Sequence, residues 1–165
     1  MIGDWSKTVA WAWGGYYSRV FLNVKGREKT GIIDPRDYER ERDILIKKMQ
    51  AIPDHNGRPL PHKIYKPEEL YEIIRGDAPD LMVYFDDLNW RSAGTVGYDS
   101  MYLDENDTGP DDAVHDYHGI FIINDPEKKI GKNIGTKKIE DIAPTILNVF
   151  GIPKPKDMEG NIIDF

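Results

Sequence analysis

Short apolar runs separated by glycine, proline and charged residues form the pattern of the first third of the chain. The runs from Thr8 to Trp13 and from Ser18 to Val24 are rich in aromatic and β-branched side chains and flank Gly14-Gly15. This pattern predicts two strands joined by a tight connection. The charged segment Lys25 to Glu28 then predicts a turn, whose simplest interpretation is a solvated hairpin end.

A helical period replaces the strand pattern after Asp34. Asp34 followed by Pro35 is a typical helix start, and Pro53 marks its end. The segment from Arg36 to Ala51 is therefore predicted as an amphipathic surface helix. Its apolar stripe consists of Tyr38, Leu45, Met49 and Ile52.

The rest of the chain repeats the alternation of strands and helices. Apolar runs bounded by polar residues predict buried strands, and proline or aspartate before an apolar period predicts a helix start. The predicted elements are strands at Lys63 to Tyr65, Leu81 to Phe85 and Ile120 to Ile123, and helices at Pro67 to Ile74 and from Asp141 to Phe150.

Composition limits the classes of function. The length of 165 residues suits one domain. A formal net charge of −7 argues against broad contact with nucleic-acid phosphates. With no cysteine, histidine and carboxylate are the strong metal ligands that remain. We find neither a signal peptide nor a membrane span in the sequence, and we expect a soluble, cytoplasmic protein.

The stretch from Asp104 to Asn124 carries the main candidate chemistry. An acidic loop with glycine and proline delivers His115 and His118 to the start of the apolar run at Ile120. Because loops at strand ends commonly carry the sites of α/β proteins, His115 is the first candidate for a functional residue. His55 and His62 are interpreted as loop histidines.

Two other acidic motifs have metal-binding interpretations that compete with simpler ones. The pair Asp86-Asp87 at a strand end is typical of solvated carboxylates, with a metal site as the alternative. The segment Asp104 to Gly109 suggests a calcium loop, but His115 stands where such a loop needs a bidentate glutamate.

Four segments of the chain together carry a family resemblance. They read DWSKTVAWAWGGYYSRVFLNVKGRE, PDLMVYF, HDYHGIFI and IEDIAPTILNVFGIPKPKDMEG. In this order they resemble the carboxy-terminal part of type I phosphodiesterases and nucleotide pyrophosphatases, a group within the alkaline phosphatase superfamily. The resemblance covers nearly the whole chain.

The resemblance implies an α/β fold, namely the carboxy-terminal part of an α/β/α sandwich. Residues 1–165 would form a single domain, itself a fragment, with an irregular accessory α+β lobe at 1–75 and the sandwich core at 76–165. The core would be mostly parallel and built around Leu81 to Phe85 and Ile120 to Ile123.

The resemblance also implies hydrolysis of phosphate esters by two divalent ions, zinc or manganese. His115 occupies the position of a metal ligand four residues before Gly119. His118 and Asp116 would support it. Lys25, Arg27 and Arg91 are candidates for contacts with substrate phosphate.

The nucleophile and most metal ligands of such enzymes precede the segment that this chain resembles. No catalytic residue is therefore assigned in this chain, and we expect the isolated chain to be inactive and metal-free. Its expected partners are the missing amino-terminal half, in cis or as a separate chain, and a small phosphate ester; neither nucleic acid nor membrane is expected. Alternatives are a non-catalytic domain that binds a partner or an anion, or part of a phosphonate hydrolase or phosphoglycerate mutase.

Overall fold

A computed structural model describes residues 3–105, 113–126 and 131–165, which combine helices with an antiparallel sheet. The chain forms two compact units, Met1–Gly119 and Ile120–Phe165. None of the helices within these described ranges is long and apolar enough to cross a membrane.

The first unit is built on a four-stranded sheet in the order β1-β2-β4-β3. Every neighbouring pair is antiparallel. The glycine-linked hairpin predicted from the sequence is present, and the run at 81–84 is central as predicted, with a strand on each side. The strands are β1 (Ala10–Trp13), β2 (Ser18–Leu22), β3 (Lys63–Tyr65) and β4 (Leu81–Tyr84).

Alternation of side chains places one face of this sheet in the core. Val20, Leu81 and Val83 share this face and are almost fully buried. The predicted amphipathic helix, α1 (Tyr38–Gln50), follows a 3-10 turn at Pro35–Asp37 and packs Met49 against them. A second, shorter helix, α2 (Pro67–Leu70), ends four residues earlier than predicted.

Two features of the predicted sheet are wrong for the strands that the structure describes. The sheet is antiparallel rather than mostly parallel, because β2 and β3 both run opposite to the central β4. The run Ile120 to Ile123 is not a strand, and Ile120 and Ile122 are 93% and 85% exposed. An apolar run becomes a strand only where another strand offers backbone partners, and no described strand pairs with it.

The sheet also joins the two predicted subregions. β4 comes from the predicted core, 76–165, and it pairs with β2 and β3 from the predicted accessory lobe, 1–75. The two subregions therefore share one sheet.

The second unit contains α3 (Ile142–Val149), which follows a 3-10 turn at Ile139–Asp141. Thr145 joins this helix to the carboxy-terminal segment, since its hydroxyl donates to the Asp141 carbonyl at 2.6 Å and accepts from the Ile163 N–H at 2.9 Å. The Asp141 carboxylate accepts the N–H groups of Asn161 and Lys138, and these bonds lower its pKa. The carboxy-terminal segment is thus tied to α3 by polar contacts.

Candidate functional site

The connection between β1 and β2 lies against the loop that contains Ser92. The Gly15 N–H donates to the Ser92 hydroxyl at 3.2 Å, and the Ser92 N–H donates to the Gly15 carbonyl at 3.2 Å. A Cβ atom on Gly14 would lie 2.6 Å from the Ala93 carbonyl oxygen, so this approach requires glycine. The contact holds the residues on either side, Tyr16 and Arg91, near each other.

His115 lies against the Tyr16 ring. The two ring centroids are 3.7 Å apart and the planes differ by 10°. The guanidinium carbon of Arg91 lies 5.9 Å from the centroid of the same tyrosine ring. We call these three residues the Tyr16 cluster. It brings together His115 and Arg91, which the sequence analysis selected as candidates. Both contact the ring of Tyr16, which the sequence analysis did not select.

The stack on Tyr16 does not use the ring nitrogens of His115. Stacking engages the face of the ring, whereas metal coordination and hydrogen bonding use nitrogens at its edge. The residue is exposed rather than packed in the interior. This arrangement is compatible with the ligand role that the family resemblance implies.

The other two cationic candidates have different surroundings. Arg27 binds the carboxylate of Asp80 through both terminal nitrogens, at 2.7 and 2.6 Å, and also donates to the Leu22 carbonyl at 2.6 Å. The hydrogen bonds with Asp80 raise the pKa of Arg27. Lys25 lies just before the turn that contains Arg27, and its N–H donates to the Ile33 carbonyl at 2.9 Å. Arg27 thus neutralises a buried carboxylate.

The two residues assigned to support His115 contact each other. The Asp116 carboxylate accepts the backbone N–H of His118 at 2.9 Å, which closes a local turn. This bond shapes the backbone that follows His115.

A metal centre needs three or four ligands in one place. Within residues 3–105, 113–126 and 131–165, no three histidine, aspartate or glutamate side chains form such a group. The described residues therefore do not fit a two-ion centre by themselves, and we assign no catalytic step to them. Most of the possible calcium loop, Asp104 to Gly109, lies outside the described residues.

Asp86 and Asp87, the other possible metal ligands, lie in an unusual turn after β4. Asp86, Asp87 and Leu88 have φ angles of 48°, 54° and 74°, a left-handed conformation that costs about 1–2 kcal/mol for most non-glycine residues. The Asp87 carboxylate pairs with Lys63 at 2.8 Å, and this hydrogen bond lowers its pKa. The contact with Lys63 therefore helps to hold the strained turn in place.

Sequence reasoning did not select Asp80, yet it is the most heavily engaged carboxylate among the described residues of the first unit. It is only 3% exposed and accepts from the Leu22 N–H, from Arg27 and from the Tyr38 hydroxyl. Burial would raise the pKa of Asp80, but these hydrogen bonds outweigh it and the pKa is lowered. The sequence signal for this residue is its position directly before the apolar strand β4.

Comparisons of the chain with models of protein families, with curated proteins and with solved structures gave no match.

Proposed function

We propose that this chain is the carboxy-terminal portion of a metal-dependent hydrolase resembling phosphodiesterases and nucleotide pyrophosphatases. The observation that carries the proposal is the Tyr16 cluster, where an exposed imidazole and a guanidinium share one tyrosine ring. His115 would contribute one metal ligand, and Arg91 would favour an anionic ester nearby. We place the protein in the cytoplasm, as a chain without cysteine suits a reducing compartment.

The remaining components of the active site would come from an amino-terminal half. Two divalent ions, zinc or manganese, would activate the nucleophile and neutralise phosphate charge once bound. Because no three metal-ligating side chains of the described residues lie together, the chain alone would be inactive. Its role would be to complete the site and to position His115 through the stack on Tyr16.

Exposed apolar side chains in the second unit support a missing partner half. Ile120, Ile122 and Phe150 are 93%, 85% and 73% exposed. Large apolar side chains in such numbers are typical of surfaces that another part of a protein covers. We propose that the other half of an α/β/α sandwich packs there. The same exposure is the observation that favours the rival function, a domain that binds a partner chain without catalysis.

The test is reconstitution with the proposed amino-terminal half. The chain is produced alone and together with that polypeptide, and hydrolysis of bis(4-nitrophenyl) phosphate is followed with zinc or manganese. We expect turnover only in the combined sample. His115→Ala should reduce it more than about 100-fold, because losing even an outer-shell partner of a metal ligand costs about 10–100-fold. His55→Ala, which removes a histidine of a different loop, should leave it nearly unchanged.

Two results would overturn the proposal. If the chain alone hydrolyses the ester and loses this activity in His115→Ala, the site is complete without a second half. If the combined sample forms a complex but shows no turnover, or turnover that is insensitive to His115→Ala, the partner-binding alternative replaces the hydrolase.

A further inference from the structure

The first unit contains a cavity of about 420 Å³ that the proposed function does not use. This volume lies in the range of small-molecule sites, about 300–1,000 Å³. Most of its wall is apolar or aromatic, including Ile52, Leu60, Phe85, Trp90 and Tyr102. A cavity of this size and lining suits an organic ligand better than a hydrated ion.

Four rings of the cavity lining pack in two edge-to-face pairs. Trp90 and Tyr102 pack edge to face, with centroids 5.1 Å apart and planes at 67°. The Tyr102 hydroxyl donates to the Pro53 carbonyl, which fixes the ring. Phe85 and His62 form a second such pair, with centroids 5.4 Å apart and planes at 85°. An edge-to-face contact covers one face of one ring, and another flat ring can stack on a face that is not covered.

The left-handed turn after β4 positions two residues of the wall. Phe85 and Asn89, the residues on either side of the turn, both line the cavity. The Asp86 N–H donates to Nδ1 of His62 at 3.1 Å, so the proton of a neutral imidazole is on Nε2, which donates to the Ile52 carbonyl at 2.7 Å. Backbone strain that the surroundings hold in place is typical of functional sites.

The cavity also shares one residue with the Tyr16 cluster. Arg91 lines the cavity and approaches the Tyr16 ring. Val114 lines it too and directly precedes His115. The charged residues of the wall have opposite signs, since Asp104 and Glu105 accompany Arg91. A neutral ligand therefore matches the cavity better than a strongly charged one.

We propose that this cavity binds a flat, uncharged aromatic group of one or two fused rings. The binding is a property of this chain and does not depend on the proposed hydrolysis.

The test is calorimetric titration of the full chain with 2-naphthol, without metal or ester. We expect a Kd between about 10 µM and 1 mM, the range for a small ligand that fits well. The matched ligand is decahydro-2-naphthol, which has similar bulk but is not flat. It should bind at least tenfold more weakly, because stacking requires a planar partner.

Two variants locate the binding. Ala113→Phe places a ring into the cavity from an exposed position and should abolish binding, whereas Val96→Phe adds the same ring at an 87% exposed residue outside the cavity and should not. Trp90→Leu should weaken binding about tenfold or more, and circular dichroism verifies that each variant is folded.

Equal affinity for the two naphthol compounds would overturn the proposal, as would binding that persists in folded Ala113→Phe. Binding of phenyltrimethylammonium in place of 2-naphthol would also overturn it, because the ligand would then be an organic cation. Failure of the hydrolysis experiment leaves these binding results unaffected, so the two proposals fail separately.

Discussion

Replacing Asp80 with asparagine tests whether the buried ion pair stabilises the first unit. The carboxylate accepts four hydrogen bonds: two from Arg27 at 2.7 and 2.6 Å, one from the Leu22 N–H at 2.6 Å and one from the Tyr38 hydroxyl at 2.5 Å. Asparagine has nearly the same shape but one acceptor oxygen and no charge. At least one buried donor therefore loses its partner.

The expected loss follows from these contacts. A hydrogen bond to a charged group contributes about 1.5–3 kcal/mol, and breaking a buried ion pair costs about 3–5 kcal/mol. The Arg27 side chain is 42% exposed and can be hydrated again, which reduces the loss. We expect the free energy of unfolding to fall by about 2–4 kcal/mol. With a urea m-value of about 2 kcal/mol/M, the unfolding midpoint should fall by about 1–2 M.

Urea unfolding followed by tryptophan fluorescence measures the effect, and its pH dependence provides the internal control. Because the pKa of Asp80 is lowered in the folded protein, its contribution is present above the ordinary value of 3.8 and is lost as the pH falls through the folded value. The difference between the wild type and Asp80→Asn should therefore shrink below about pH 4. A difference under about 0.5 kcal/mol at pH 7, or one that does not change in acid, would refute this account of the ion pair.

Two further predictions concern neighbouring features. Gly14→Ala should destabilise the first unit by about 1–3 kcal/mol in urea unfolding, because its Cβ would lie 2.6 Å from the Ala93 carbonyl oxygen. The control is Gly3→Ala, whose Cβ meets nothing within 4 Å and which should have little effect. Equal stability of the two variants would contradict this prediction. Burial and the hydrogen bond to Asp80 raise the pKa of Tyr38 to about 12, so its contribution to stability is present below pH 10 and is lost as the pH rises through 12. Tyrosinate absorbance should show that Tyr38→Phe removes a group titrating near pH 12, and removal of a group near pH 10 would be the contrary result.

Local sequence patterns predict the elements of the first unit because turns and helix starts are determined by residues that are close in sequence. Two glycines between apolar runs determine the β1–β2 hairpin, and proline after Asp34 determines where the helical region starts. The end of α2 was placed too late because Tyr71 adopts an extended conformation at φ −126°, which the proline and acids at the helix start do not control.

Strand direction and the candidate site depend on contacts between distant residues. The order that places β4 between β2 and β3 has no signature in the apolar runs themselves, so a family resemblance supplied the parallel sheet. The stack of His115 on Tyr16 joins residues 99 positions apart, and the bond from Arg27 to Asp80 joins residues 53 apart. The sequence identified Arg27 and His115 as candidates, but their partners follow only from the fold.

The apolar patterns of the two units have different outcomes, and this difference bears on the proposed function. In the first unit, the predicted apolar strand at 81–84 is buried over its first three residues. In the second unit, Ile120 and Ile122 were predicted to be buried as well, yet both are exposed, and so are Val149 and Phe150 at the end of α3. Burying each such side chain would contribute about 1.5–3 kcal/mol, so a surface that covers them has a substantial driving force for association. The sequence pattern thus predicts burial at positions that the structure leaves exposed, and the partner half of the proposed function would supply the surface that covers them.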